Sequence, residues 1–115
     1  MSAGDLQEGP IILIGYEYRL QLRADTALFP TGSILTGQLR ADLGASEVLA
    51  TVSTEVGTLI RLEDSLLEIL LPPDVTAGLA VGRVLLDLVR TDLTPDRHLG
   101  FSLEIPVQLP ITRGL

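Results

Sequence analysis

Apolar and polar positions take turns along much of this chain. From Tyr16 to Arg23 the apolar set is Tyr16, Tyr18, Leu20 and Leu22, and the polar set is Glu17, Arg19, Gln21 and Arg23. A period of two sends successive side chains to opposite faces, so this segment predicts a strand with one buried face. Residues 34–43 repeat the pattern, with Leu35, Gly37, Leu39, Ala41 and Leu43 against Thr36, Gln38, Arg40 and Asp42. Gly37 in the apolar row predicts a close approach of neighbouring groups. Residues 99–108 carry Phe101, Leu103, Ile105 and Val107 on one side. Pro106 lies inside that run and cannot donate to a ladder, which predicts an edge strand or a bulge. Shorter β-rich runs fall at 11–14, 48–53 and 58–62.

The stretch 66–91 combines two strands with the one helical signal. Leu66 to Leu71 is a short apolar run stopped by Pro72 and Pro73. Proline is tolerated in a helix's first turn, and Asp74 stands where a negative charge meets the positive end of the helix dipole. A single short helix near residues 73–79 follows, with Gly78 and Gly82 bracketing the return to extended chain. Val84, Leu86 and Leu88 then alternate with Leu85, Asp87 and Val89 as the next strand. Six to eight short strands punctuated by turns are the pattern of a sandwich or barrel. The expected fold is an all-β, antiparallel sandwich with one short helix, its core including Leu20, Leu22, Leu39, Ile69, Leu86, Leu88 and Leu103. The expected organisation is a flexible arm at 1–9, a sandwich at 10–108 and a tail at 109–115.

Composition narrows the function classes. At 115 residues the chain suffices for one domain with one core. Cysteine is absent, which excludes disulfides and thiolate zinc sites. The net charge is −7 and the arginines are scattered, so a phosphate backbone is a poor partner. Tyr16, Tyr18, Phe29 and Phe101 are the aromatics, too few for a sugar cleft or a base-stacking platform. Ser2, Ala3, Gly4 and Asp5 give no basic start before an apolar run, so no secretory signal and no membrane partner are expected.

Candidate chemistry is sparse. His98 is the one histidine, and its place beside Arg97 and a turn predicts an exposed loop residue. Asp92 and Asp96 flank Thr94 and could present oxygens to calcium, but their spacing matches no full calcium loop, and Pro95 and Arg97 favour an ordinary turn. Glu63 and Asp64 are adjacent, which suits turn residues better than an acid–base pair. Gly78 and Gly82 lack the lysine and long helix of a phosphate loop. No catalytic, cofactor-binding or metal-ligating set is therefore expected. The tail has two readings, a frayed terminus or an arm that docks on a neighbour by strand addition. Leu109, Ile111, Arg113 and Leu115 are its candidate interface residues, apolar anchors with one strong donor.

Three segments together carry a resemblance. Residues 29–41, Phe29 through Gly37 to Ala41, resemble the "dLtG" segment of small bacteriophage proteins. Leu71, Pro72, Pro73, Thr76, Ala77, Leu79 and Gly82 resemble their L-P-P-x-x-T-A-x-L-x-x-G element. Asp87, Leu88, Arg90, Thr91 and Asp92 resemble the strand that follows, although Val84 and Leu85 stand where an aromatic is usual. The resemblance spans residues 16–113 and is to immunoglobulin-like sandwiches of tailed-phage structural modules, including amino-terminal domains of baseplate upper proteins. It implies an immunoglobulin-like fold and a non-enzymatic structural role in a virion, as capsid decoration or as a tail or baseplate component. The implied partners are other phage structural proteins and further copies of the chain, after synthesis in the host cytoplasm. A host-side ligand-binding or adhesion module is the alternative.

Overall fold

The computed structural model describes residues 6–115. Among these, nine strands and one helix follow in order: β1 (Leu6–Glu8), β2 (Ile12–Leu13), β3 (Tyr18–Arg23), β4 (Leu35–Arg40), β5 (Ala50–Ser53), β6 (Leu59–Glu63), β7 (Leu66–Leu71), α1 (Pro73–Ala77), β8 (Gly82–Arg90) and β9 (Arg97–Gln108). The alternation works in β3, where Tyr18 and Leu22 are buried while Arg19, Gln21 and Arg23 are exposed, but the strand starts at Tyr18, and Tyr16, expected on its buried face, lies exposed in the turn before it. Leu20 is half-buried and packs against the core from its edge. The other expected core residues, Leu22, Leu39, Ile69, Leu86, Leu88 and Leu103, are buried.

The strands form two sheets. The larger runs β1-β9-β8-β4-β5, with β2 also on β9, and the smaller runs β3-β7-β6. Reading β3 to β9 as strands B, C, C′, D, E, F and G sets a B-E-D sheet against G-F-C-C′, the immunoglobulin arrangement. The pairings among β3 to β9 are antiparallel. β1 and β2 depart from this, lying parallel to β9 in the registers Leu6↔Ser102 and Ile12↔Val107.

Two expectations are corrected here. Residues 6–8 are strand rather than flexible arm, and Gly9 N donates to Glu104 O at 2.9 Å, so the ordered backbone begins before residue 10. Residues 1–5 lie outside the described residues. Nor is β9 a free edge or bulged at Pro106, since β8 lies on one side and β1 with β2 on the other. The irregularity in its ladder falls instead between Asp87 and Val89 of β8. Glu104 O and Gln108 O accept from Gly9 N and Ile14 N, so even-numbered residues of β9 turn their backbone groups toward β1 and β2. Pro106 has no N–H to offer on that side, and the gap between β1 and β2 falls opposite it.

The core lies between the sheets, filled by Phe29, Phe101, Ile12, Leu35, Leu39, Leu67, Ile69, Leu86 and Ile105 among others. Gly37 sits in this layer, paired with Val52 on one side and Leu88 on the other. A Cβ there would meet Asp87 O at 2.7 Å, the close approach its place in the strand predicts. Helix α1 spans the link from β7 to β8 and is tied down by Thr76, which is fully buried. Its Oγ1 accepts from Gly15 N at 3.1 Å and donates to Tyr16 O at 2.8 Å. That hydroxyl joins the helix to the turn entering β3, satisfying backbone groups that no ladder reaches.

Candidate protein-interaction site

The tail leaves β9 beside the turn between β2 and β3. Pro110 is buried, which anchors the tail's first residues. Tyr16 Oη donates to Thr112 O at 2.7 Å, and Arg113 Nη1 donates to Pro110 O at 2.8 Å. The tail is thus folded back on its own domain rather than frayed from its first residue. Beyond these ties it presents its apolar side chains to solvent, with Leu109 51% exposed, Ile111 98% and Leu115 fully exposed. Leu13 and Tyr16 flank the same spot with 43% and 40% exposure. Leu13, Tyr16, Gln108, Leu109, Pro110, Ile111 and Thr112 line an open groove of about 490 Å³. Scattered exposed leucines are ordinary, whereas a contiguous apolar patch at one end of a domain is the signature of a contact surface. Of the interface residues read from the sequence, Leu109, Ile111 and Leu115 are available. Arg113 spends one donor on the tail's own turn and keeps the rest of its guanidinium exposed.

The polar candidates are engaged elsewhere. His98 lies in β9 rather than in a loop. Its Nε2 meets Asp87 Oδ2 at 2.7 Å, and its Nδ1 accepts from Gly100 N at 2.9 Å. An accepting Nδ1 carries no proton, so Nε2 is the N–H that donates to Asp87. Ser102 stands opposite Asp87 in the ladder, which brings Asp, His and Ser side chains to one region of the larger sheet. No relay results, because both ring nitrogens are committed and neither can take a proton from a hydroxyl.

Asp92 accepts from Arg90 Nη2 at 2.6 Å and from Ile34 N at 3.1 Å. Those bonds, Arg90's first, hold its carboxyl down at about 2, so it serves as a structural ion-pair partner. Asp96 does not join it and lines a separate hollow with Thr36 and Val89. Among the described residues, no cluster of three or more His, Asp or Glu could hold a metal ion. Glu63 ends β6 and Asp64 follows it in the turn, with Arg61 bonded to the Asp64 carboxylate.

Sequence reading missed the outer face of the larger sheet. A hollow of about 180 Å³ there is bounded by Gln38, Arg40, Asp42, Asp87 and Ser102, over Leu85. Leu85 is buried without belonging to the core between the sheets. Salt-bridged Arg83 lies near it, bonded to Glu104 at 2.9 Å and Asp42 at 3.1 Å, and those carboxylates, Glu104 first, raise the Arg83 pKa. The signal was the row Gln38↔Asp87↔Ser102, which becomes visible only once strand registers are known. No family model matches this chain, and comparison with curated proteins likewise gives no match.

Proposed function

We propose that the chain is a non-enzymatic structural protein of a tailed-bacteriophage virion, a capsid decoration or a tail or baseplate component that works through protein–protein contacts. The observation that carries this reading is the sandwich's apolar end. Ile111 stands exposed in the groove it lines with Leu13, Tyr16 and Leu109, and Leu115 is exposed further along the tail, the form of a surface that a neighbouring subunit covers. The motif resemblance at residues 29–41 and 71–92 supplies the setting, and the tail supplies the contact.

The test is mass spectrometry of purified particles together with deletion of residues 109–115. The protein should be found in virions, and the shortened chain should fold yet fail to join them at full occupancy. Absence from particles removes the virion reading, and full incorporation of the shortened chain removes the tail's role. A host-side ligand-binding or adhesion module is the second reading, favoured by the hollow over Leu85. Recovery of a cellular ligand that Gln38→Ala and Asp87→Ala abolish, with no phage protein captured, would put that reading first.

A further inference from the structure

A sandwich exposes backbone N–H and C=O groups wherever a sheet ends, and folds blunt such edges to prevent stray pairing. Most edges of this domain are blunted. The outer side of β9 is occupied by β1 and β2. β5 has four residues, and β6 loses register between Arg61 and Glu63. β3 is the exception, six residues without proline or glycine, in unbroken register with β7 from Tyr18↔Leu71 to Arg23↔Leu66. No described strand lies on its other side. Ala24 N donates to Ser65 O at 2.8 Å, continuing that register, so even-numbered residues turn their backbone groups to β7. Arg19, Gln21 and Arg23 therefore turn theirs to the open side.

We infer that this edge pairs with the same edge of a second copy, antiparallel about a two-fold axis at Leu20, so that the two smaller sheets become one. Opposed residues must share a face and a hydrogen-bonding phase, which restricts the axis to a residue position. Charge then chooses among positions. An axis at Gln21 sets Arg19 against Arg23 of the other copy, and an axis at Arg19 sets that arginine against itself; both are repulsive. An axis at Leu22 draws Ala24 and Asp25 into the pairing, and these lie past the strand's end. The axis at Leu20 pairs residues 18–22 within the strand and takes in one residue beyond it, Glu17, against two for the axis at Leu22. It places Glu17 opposite Arg23 and Arg19 opposite Gln21, attractive or neutral at every exposed pair. Arg23 can take that partner, since its ion pair with Glu63 is a loose 3.8 Å with both side chains exposed, while Glu17 already accepts from Arg19 of its own strand through Oε2 at 3.0 Å and would meet the second copy's Arg23 with its other oxygen. Leu20, half-buried in one copy, meets Leu20 of the other and is covered.

Sedimentation equilibrium of the intact chain over a wide concentration range tests this. The mass should rise from 12.3 kDa toward twice that value. Gln21→Pro removes an outward N–H while sparing the ladder to β7, and should leave a folded monomer. Glu17→Arg and Arg23→Glu should each weaken association by about tenfold, and the double reversal should restore it. If Gln21→Pro fails to fold by circular dichroism, the charge-reversal cycle decides alone. A chain that stays monomeric at every concentration overturns the inference, as does a dimer indifferent to the charge reversals. Deleting residues 109–115 should leave this dimer intact; loss of self-association on that deletion, with Gln21→Pro still dimeric, assigns the contact to the tail and overturns the edge.

Discussion

Replacing Gly37 by alanine adds one methyl group at a backbone position that has no room for it. The new Cβ would stand 2.7 Å from Asp87 O, 2.9 Å from Leu88 Cδ2 and 3.0 Å from Leu86 Cδ1. The leucine methyls can swing away, but the carbonyl belongs to β8, which is paired on both sides and cannot yield alone. Inserting a methyl into a packed core costs about 1–3 kcal/mol. Against this, losing glycine's freedom in the unfolded chain stabilises by about 0.4–1 kcal/mol. The two ranges leave a net loss of roughly 0–2.6 kcal/mol, toward the upper end because the nearest atom is backbone. With an unfolding entropy of about 2.1 cal/mol/K per residue, that is a fall in Tm of up to about 11 °C. Thermal unfolding followed by circular dichroism measures it, and urea titration with an unchanged slope confirms that stability alone moved. Gly44→Ala is the matched control, for Gly44 has no positive φ and no atom within 4 Å of an added Cβ. It should leave the domain equally stable or stabilise it by up to about 1 kcal/mol. A Gly37→Ala protein that melts at or above the native temperature would refute the reasoning.

Leu86→Ala should cost about 2–5 kcal/mol, since Leu86 is buried in the central strand β8; an unchanged denaturant midpoint would show that the other face of β8 is the core. Thr76→Val keeps the shape but strands Gly15 N and Tyr16 O, a loss of about 1–3 kcal/mol by denaturant titration, whereas Thr76→Ser should recover most of it. Asp92 titrates at about 2 in the fold, chiefly through its bond from Arg90, against about 3.9 in an unfolded chain. Its contribution is thus complete above about pH 4 and is lost as pH falls through about 2, so Asp92→Asn should flatten that part of an acid-denaturation profile.

The parts of this fold that were legible from sequence are those set by local periodicity. Alternation marks β3, β4 and the core face of β9, and the pair Pro72 and Pro73 marks where β7 must stop and α1 can start. Gly37 was legible because a glycine in an apolar row has a steric meaning. The seat of β1 was not, since a strand of three residues shows no period and its partner Ser102 lies at the far end of the chain. His98 was misplaced for a related reason: its partner Asp87 is fixed by the β8–β9 register, and Arg97 and Pro95 look like turn chemistry in isolation. At the tail, composition exposed the apolar side chains but not the bond from Tyr16 to Thr112, which exists only because β9 ends beside the turn into β3.

That last geometry links the two proposed contacts. The initial strands lie along β9, and because they do, β3 is left as an edge of the smaller sheet. In the constant-type immunoglobulin arrangement the first strand would cover β3 instead. Glu17, which the two-fold pairing sets against Arg23, directly follows Tyr16, the residue that holds the tail at Thr112. The edge and the apolar groove therefore meet at one end of the domain, and a neighbour seated on the tail would stand next to the residue that fixes the register of the edge. If both contacts form, Tyr16→Phe should loosen the tail by removing the bond to Thr112 while leaving the Glu17 charge in place. Concentration-dependent dimerisation should then persist as incorporation into particles falls. Parallel loss of both would mean that the groove and the edge act as one surface.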